Sequence, residues 1–347
     1  MLKTAIEKAS KNVNLSEDEM IYAMNDIMEG KASQAQIGGL LMALRTKGET
    51  VDEITGSAKL LRIKSRDLGI LEDYGIDTCG TGGDCAHTFN ISTTVSFVAA
   101  AAGVKVFKHG GRSVSSSCGS ADVLEALGVN IHLSPEEVKK CVERLNIGFM
   151  FAPDFNPAMK HAQGARKELG VRTIFNILGP LINPGKVKGQ VLGVFDENMT
   201  ETLAEVLKNL GTERAVVVHG MDGLDEITIT DQTKVSELKE GKIKTYFIEP
   251  EQFSMDRALS QDLVGGDAEE NAEILKSILQ GEKGPKRDIV FLNAGAAIYV
   301  GKKADSIEEG IQIAKEMIDS GKAFERLKEL IALTQEENIV FREYIRI

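Results

Sequence analysis

The chain has 347 residues, longer than a single hydrophobic core usually grows, so two domains or one large domain with an elaborated insert are expected. Apolar residues make up 42% and charged residues 27%, ordinary globular proportions, and the 34 glycines imply several functional loops. A formal charge of −11 argues against a sequence-independent grip on nucleic acid, and no apolar run reaches the ~20 residues that span a bilayer, so a cytoplasmic protein without nucleic-acid or membrane partners is expected.

The first seventy residues read as helices. Ser16 and Glu19 form a capping-box pattern, and Gly30 stands where it would end a helix carrying Ile21, Met24 and Met28. Ile37, Leu40, Leu41 and Leu44 continue at helical spacing, as do Ile54, Leu60, Leu61 and Ile63. After Gly69, short apolar runs alternate with helical segments: YGIDTC, GVKVFKHG, VNIHL, NIGFMFAP, QVLGVFD, RAVVVHG and DIVFLNAG. This alternation predicts an α/β domain with a largely parallel sheet covered on both faces. PEEVKKCVERL places Pro135 at a helix start, and residues 157–186 read as helix plus a Gly/Pro-rich turn that folds back on the N-terminal helices. The segment SIEEGIQIAKEMIDSGKAFERLKELIALTQ is amphipathic.

Three segments carry chemistry. In DTCGTGGD a strand ends near Cys79, and Gly80, Gly82 and Gly83 follow at its carboxyl end, where open α/β sheets place their ligands. Asn90, Ile91, Ser92 and Thr93 then lead into VSFVAAAAGV, a helix whose free N–H groups and dipole favour an anion. KHGGRSVSSSCGSAD sets Lys108, Arg112 and many hydroxyls in a second loop between a strand and a helix. Two such loops point to a ligand with two phosphate regions. In VHGMDGLDEITIT, Asp222, Asp225 and Glu226 follow a strand. Alone they read as a solvated acidic turn, but beside two anion loops they suit Mg²⁺ shared with a pyrophosphate. Of the four cysteines, Cys79, Cys85, Cys118 and Cys141, the first two with His87 make a weak zinc pattern lacking a fourth ligand, and small-residue filling is the preferred reading.

GTGGD, NIST, KHGGRSVSS with GSAD, GARKELGVRTIFNILGPLINP, HGMDGLDE and GGDAEENA occur in the order seen in anthranilate phosphoribosyltransferases, and the chain resembles that family over essentially its whole length. The resemblance implies a fold like that of pyrimidine nucleoside phosphorylases. A small helical domain, residues 1–69 joined by about 157–186, would flank a large α/β domain, 70–156 and 187–347. It also implies a homodimer formed through the helical domain. The implied reaction moves phosphoribosyl from 5-phosphoribosyl 1-pyrophosphate to the amine of anthranilate, giving N-(5-phosphoribosyl)anthranilate and pyrophosphate in tryptophan biosynthesis, with two Mg²⁺ per site.

Carried over by residue, the resemblance implies that Gly80, Gly83, Asp84, Thr88, Asn90, Ile91, Ser92, Thr93 and Lys108 bind the donor. The loop His109, Gly110, Gly111, Arg112, Ser113, Val114, Ser115 and Ser116 would close over it, with Ser120 at its end. Ser92 and Glu226 would ligate one Mg²⁺, and Asp225 with Glu226 the second. Arg166 would meet the acceptor carboxylate, near Gly80, His109, Gly179 and Pro180. Two acceptor-side positions depart from the family pattern: Gly111 replaces a usual asparagine, and Asn156 a common histidine. One lost amide hydrogen bond is worth about 0.5–1.5 kcal/mol, so anthranilate stays the expected acceptor, with another aromatic acceptor as the alternative. Departure of pyrophosphate leaves an oxocarbenium-like centre, so electrostatic support from Lys108 is expected, and no catalytic base is nominated for an amine already neutral at pH 7.

Overall fold

The structure, a computed structural model, describes residues 1–69, 74–84, 86–113 and 118–344. Its N-terminal part consists of α1 (Leu2–Ser10), α2 (Glu17–Met28), α3 (Gln34–Lys47) and α4 (Val51–Lys64). Capping boxes start three of them: Ser16 with Glu19, Ser33 with Gln36, and Thr50 with Glu53. The apolar stripes predicted for these helices meet one another, Met20, Met24 and Ile27 packing with Leu40, Leu41, Leu44, Ile54 and Leu61. Ile63 does not follow its pattern and is 75% exposed.

Glu53 is fully buried at the base of α4. Its carboxylate accepts from the backbone N–H groups of Leu15 and Thr50, both at 2.8 Å, and from Lys47 Nζ at 3.0 Å. A buried carboxylate is tolerated only when its lone pairs are filled in this way.

The chain then alternates: β1 (Ile76–Gly80), α5 (Ile91–Ala101), β2 (Val106–Gly110), α6 (Ser120–Ala126), α7 (Pro135–Leu145) and β3 (Ile147–Phe151). The next stretch holds α8 (Ala152–Phe155), α9 (Lys160–Leu169) and α10 (Ile174–Leu181) before β4 (Gly189–Gly193), α11 (Met199–Asn209) and β5 (Arg214–Gly220). A hairpin, β6 (Thr233–Lys239) and β7 (Lys242–Ile248), precedes α12 (Ala268–Leu279), α13 (Pro285–Val300), α14 (Ile307–Asp319) and α15 (Lys322–Tyr344).

The strands form one seven-stranded sheet in the order β3-β2-β1-β4-β5-β6-β7. The pairs from β3 to β5 are parallel, and β5-β6 and β6-β7 are antiparallel. Because successive strand residues face opposite ways, β4 and β5 divide their apolar side chains between two cores. Val191, Val216 and Val218 pack with α5 and α13, while Leu192, Ala215 and Val217 pack with α11 and the helical body formed by α1–α4, α9 and α10. The helical body therefore lies against one face of the sheet.

Two predicted strands are not strands. VNIHL (129–133) is irregular, its local hydrogen bond running from the His132 N–H to Asn130 Oδ1. DIVFLNAG lies inside α13, whose residues from Ile289 to Val300 are all buried. A helix buried on every side shows the same unbroken apolar run as a central strand. The hairpin β6-β7 was not foreseen; charged residues on its outward positions mask the pattern.

Glu53→Ala should leave two backbone N–H groups without an acceptor and the buried Lys47 ammonium, which still reaches Asn14 Oδ1 and the Gly48 carbonyl, without its counter-charge. We expect a loss of about 3–5 kcal/mol in urea unfolding, the usual cost of breaking a buried pair.

Candidate active site

β2, β1, β4 and β5 are adjacent and parallel, so their carboxyl ends share one edge of the sheet, where such sheets place their ligands and where the candidate cleft lies. β1 delivers the glycine turn, where Gly82 and Gly83 have φ of +68° and +81°, a conformation that side chains resist. The Gly82 N–H donates to Asp225 Oδ2 at 2.7 Å, tying the turn to the acidic segment after β5. That approach is very close: a Cβ on Gly80 would lie 2.2 Å from Asp225 Oδ2, and one on Gly193 would lie 1.5 Å from the Asp225 carbonyl oxygen. Gly193 at the end of β4 is therefore a structural requirement of the site that the sequence reading missed.

Asp225 and Glu226 are half-buried after β5. Burial pushes Asp225 up to about 7, helped by the neighbouring Asp84 carboxylate, with the Gly82 N–H opposing. Burial and then the Asp225 charge raise Glu226 well above the usual carboxylate range, while Lys108 and the Ser92 backbone N–H pull it down. Lys108, buried at β2, donates to the Thr78 carbonyl at 2.8 Å and lies 3.4 Å from Ser92 Oγ. Burial lowers its ammonium below the usual lysine value, against the pull of Asp77. Asp77, buried beneath, is itself raised to about 6 by burial and accepts from Asn183 Nδ2 at 2.7 Å.

Ser92 and Thr93 open α5, whose N-cap position is Asn90. The Asn90 side chain does not cap its own helix, so the first turn keeps N–H groups for an anion. Thr93 Oγ1 is buried with no hydrogen-bond partner among the described residues, Ile91 is buried, and Thr88 forms an isolated bridge with Val264.

The second loop is pinned from α6. Asp122 Oδ2 accepts from the backbone N–H groups of Ser113 at 3.1 Å and Gly119 at 2.8 Å, and the Gly111 carbonyl accepts from Ala121 N–H. Gly110 packs against Ser120, the first residue of α6. Arg112 is turned to α6, pairing with Asp122 at 2.9 Å and Glu125 at 2.5 Å, rather than toward the glycine turn. Val114, Ser115, Ser116 and Cys85 lie outside the described residues.

On the acceptor side, His109, Asn156 and Gly179 come together. Asn156 Nδ2 lies 2.9 Å from His109 Nε2, and the imidazole also hydrogen-bonds the Gly179 backbone. Burial lowers His109 to about 4, so it is neutral at physiological pH. Beside Gly111 there is room for a side chain, with Ala152 Cβ 3.9 Å from where a Cβ would stand. Pro180 is buried in α10, and its carbonyl accepts from Gln190 Nε2.

Arg166 on α9 is half-buried over the Phe175 ring, 5.3 Å from its centroid, and has no carboxylate partner among the described residues. Arg172, which the sequence reading did not single out, donates to the Gly83 carbonyl and stacks on Phe195 at 4.1 Å, while Arg45 of α3 donates to the Arg172 carbonyl. The helical body thus touches the glycine turn. Asp222 turns away from the cleft, accepting from the Thr228 and Thr230 hydroxyls. Cys79 is inside β1, its sulfur against Gln190 Nε2.

The donor set fits Mg²⁺. No group of three or more His, Cys, Asp and Glu side chains poised for a metal occurs among the described residues. Mg²⁺ takes one or two carboxylates and leaves its remaining positions to water and phosphate oxygens, which Asp225, Glu226 and the Ser92 hydroxyl can accommodate.

The fold and cleft define a two-part transferase: residues 3–64 match the helical bundle domain of the glycosyl transferase family and residues 72–324 its a/b domain. The anthranilate phosphoribosyltransferase of Alkaliphilus metalliredigens is 62% identical over 97% of this chain and 99% of its own length. Among solved structures, anthranilate phosphoribosyltransferase from Thermus thermophilus superposes with a TM-score of 0.91 at 42% identity, covering 95% of this chain and 99% of that one. The Saccharomyces cerevisiae enzyme in complex with PRPP and Mg gives 0.88 at 27% identity, covering 96% and 98%. The chain belongs to the anthranilate phosphoribosyltransferase family.

Asp225 titrates near 3.8 in the unfolded chain and near 7 in the fold, so the folded state holds its proton more tightly. That contribution is present at low pH and is lost as pH rises from about 4 through 7. With EDTA present, Asp225→Asn should melt close to the parent at pH 4 and a few degrees above it at pH 8, as thermal unfolding at the two pH values would record.

Proposed function

We propose that the chain transfers phosphoribosyl from PRPP to the amine of anthranilate in an Mg²⁺-dependent reaction of tryptophan biosynthesis. The observation that carries this reading is the meeting of the glycine turn with Asp225 and of Lys108 with Ser92 at the α5 N-terminus, with Arg166 on α9 lacking a carboxylate partner among the described residues. The donor site comprises the residues of the turn, the first turn of α5 and the loop after β2. Two Mg²⁺ are proposed, one held by Ser92 and Glu226 and one by Asp225 and Glu226; when bound they neutralise charge on the departing pyrophosphate.

Each protein group then has a task. Lys108 has three ammonium hydrogens, of which one is given to Thr78 and one faces Ser92, leaving the third for a phosphate oxygen. N–H groups of α5 that no side chain caps add fixed positive dipole ends aimed at the same anion. Arg166 binds the anthranilate carboxylate, and Phe175 beneath it restricts the guanidinium. The neutral His109, fixed by Asn156 and Gly179, presents an uncharged wall to the aromatic ring. Holding the amine against the anomeric carbon is the main requirement, because the nucleophile needs no deprotonation to start.

We further propose that residues 1–69 with 157–186 act as one domain and 70–156 with 187–347 as the other. A homodimer through the helical domain is supported by the exposed Tyr22 and Ile63. A cytoplasmic setting is supported by Cys79, Cys118 and Cys141, which carry no disulfide. Another aromatic acceptor is the second reading, resting on Gly111 and Asn156; a gain in anthranilate turnover in the paired variant Gly111→Asn, Asn156→His would favour it.

Anthranilate fluorescence should fall on mixing with PRPP and Mg²⁺, and EDTA should stop it. Arg166→Ala should raise the KM for anthranilate about tenfold or more, the value of a charge-assisted hydrogen bond, with the KM for PRPP within about twofold. Asp225→Asn should lower kcat and raise the Mg²⁺ needed for half-maximal rate. Wild-type kinetics in both variants would overturn the assignment.

A further inference from the structure

Asn271 of the motif GGDAEENA, on α12 and only 2% exposed, bonds Asn90 at the start of α5 and through it is tied to Cys118 of the second loop. The Asn271 Oδ1 accepts from the Gly266 N–H at 2.8 Å, and its Nδ2 donates to Asn90 Oδ1 at 3.1 Å and to the Gly266 carbonyl at 3.3 Å. Asn90 Nδ2 in turn donates to the Cys118 carbonyl at 3.2 Å, and the Cys118 thiol lies 3.4 Å from Asn90 Oδ1. Backbone groups anchor both ends of this chain. A backbone N–H can only donate, so Asn271 must turn its oxygen to Gly266 and its amide nitrogen to Asn90. A carbonyl can only accept, so Asn90 must turn its nitrogen to Cys118. Neither carboxamide can flip without setting like against like.

The neighbouring backbone reinforces the clasp. The Phe89 N–H donates to the Leu263 carbonyl and the Gly265 N–H to the His87 carbonyl, so the segment before α12 runs along the segment before α5. Asn90 therefore has its oxygen occupied and one Nδ2 hydrogen used, with the second hydrogen uncommitted among the described residues.

We propose that Asn271 is a positioning residue for the donor site, holding the Asn90 carboxamide so that it offers an N–H, and never its oxygen, to the anionic donor. This rests on the reading of Asn90 as a donor-site residue. The clasp also joins the turn after β1 to the loop after β2, since Cys118 closes the second loop beside Asn90. Asn271 acts through Asn90 and touches no reacting atom.

Asn271→Asp keeps the shape and the bond from the Gly266 N–H but sets an oxygen against Asn90 Oδ1 and the Gly266 carbonyl, and Asn271→Ser removes the reach. Initial rates by anthranilate fluorescence should give both variants a KM for PRPP raised about tenfold, with the KM for anthranilate and the kcat at saturating PRPP within about twofold. In an Asn90→Ala background, either Asn271 change should add less than about twofold. A wild-type KM for PRPP in folded Asn271→Asp, equal shifts in both KM values, or additive effects in the Asn90→Ala background would overturn the proposal. If the wild-type chain itself consumes no anthranilate with PRPP and Mg²⁺, the functional reading fails instead, a result distinct from an active wild type with an unaffected Asn271→Asp.

Discussion

The cleft depends on placing two adjacent carboxylates, Asp225 and Glu226, where water cannot solvate them well. Burial raises both above the ordinary carboxylate range, and the nearest compensating cation, Lys108, is shared with Asp77 below it. A site built this way is electrostatically unfinished: its negative charge calls for a cation, and its helix end and lysine call for an anion. A magnesium pyrophosphate supplies both at once. Gly80 and Gly193 exist in their strands because any side chain there would collide with Asp225.

Around that centre the protein divides the labour between rigid and pinned parts. The parallel strands fix the ends from which each loop departs, and the loops are then tied by single polar side chains: Asp122 holds both ends of the second loop, Asn271 holds Asn90, and Arg172 holds the glycine turn. Such ties are individually modest, about 1 kcal/mol each, yet each sets a rotamer or backbone position that ligand binding would otherwise have to order. The acceptor side follows a different logic. His109 is held between Asn156 and the Gly179 backbone and kept neutral by burial, while the half-buried Arg166 guanidinium has no carboxylate partner among the described residues.

Much of this was legible in the sequence wherever a local rule had one dominant cause. Doubly covered strands such as IGFMF and RAVVV announce themselves by unbroken apolar runs, and Ser16 announces a helix start by its capping partner Glu19. The same apolar rule misread DIVFLNAG, because a helix enclosed on all sides has no polar face to betray its period. It passed over the β6-β7 hairpin, whose turn at Glu240 and Gly241 takes positive φ, because lysines and glutamates occupy the outward positions. A motif can nominate residues, but the contacts that Gly193, Asp122 and Arg172 make across the fold cannot be read from local sequence, even though Asp122 and Arg172 stand inside GSAD and GARKELGVRTIFNILGPLINP.

The helical body has a consequence for how the chain is made. Its apolar faces on α1–α4 are completed by α9, α10 and one face of β4 and β5, so their partners emerge roughly 120 residues later. At about 5–20 residues per second of synthesis, that leaves the stripes of α2, α3 and α4 facing solvent or one another for many seconds. The nascent N-terminal helices thus pass that interval with the part of their apolar surface that α9, α10 and the strands later cover still open to solvent.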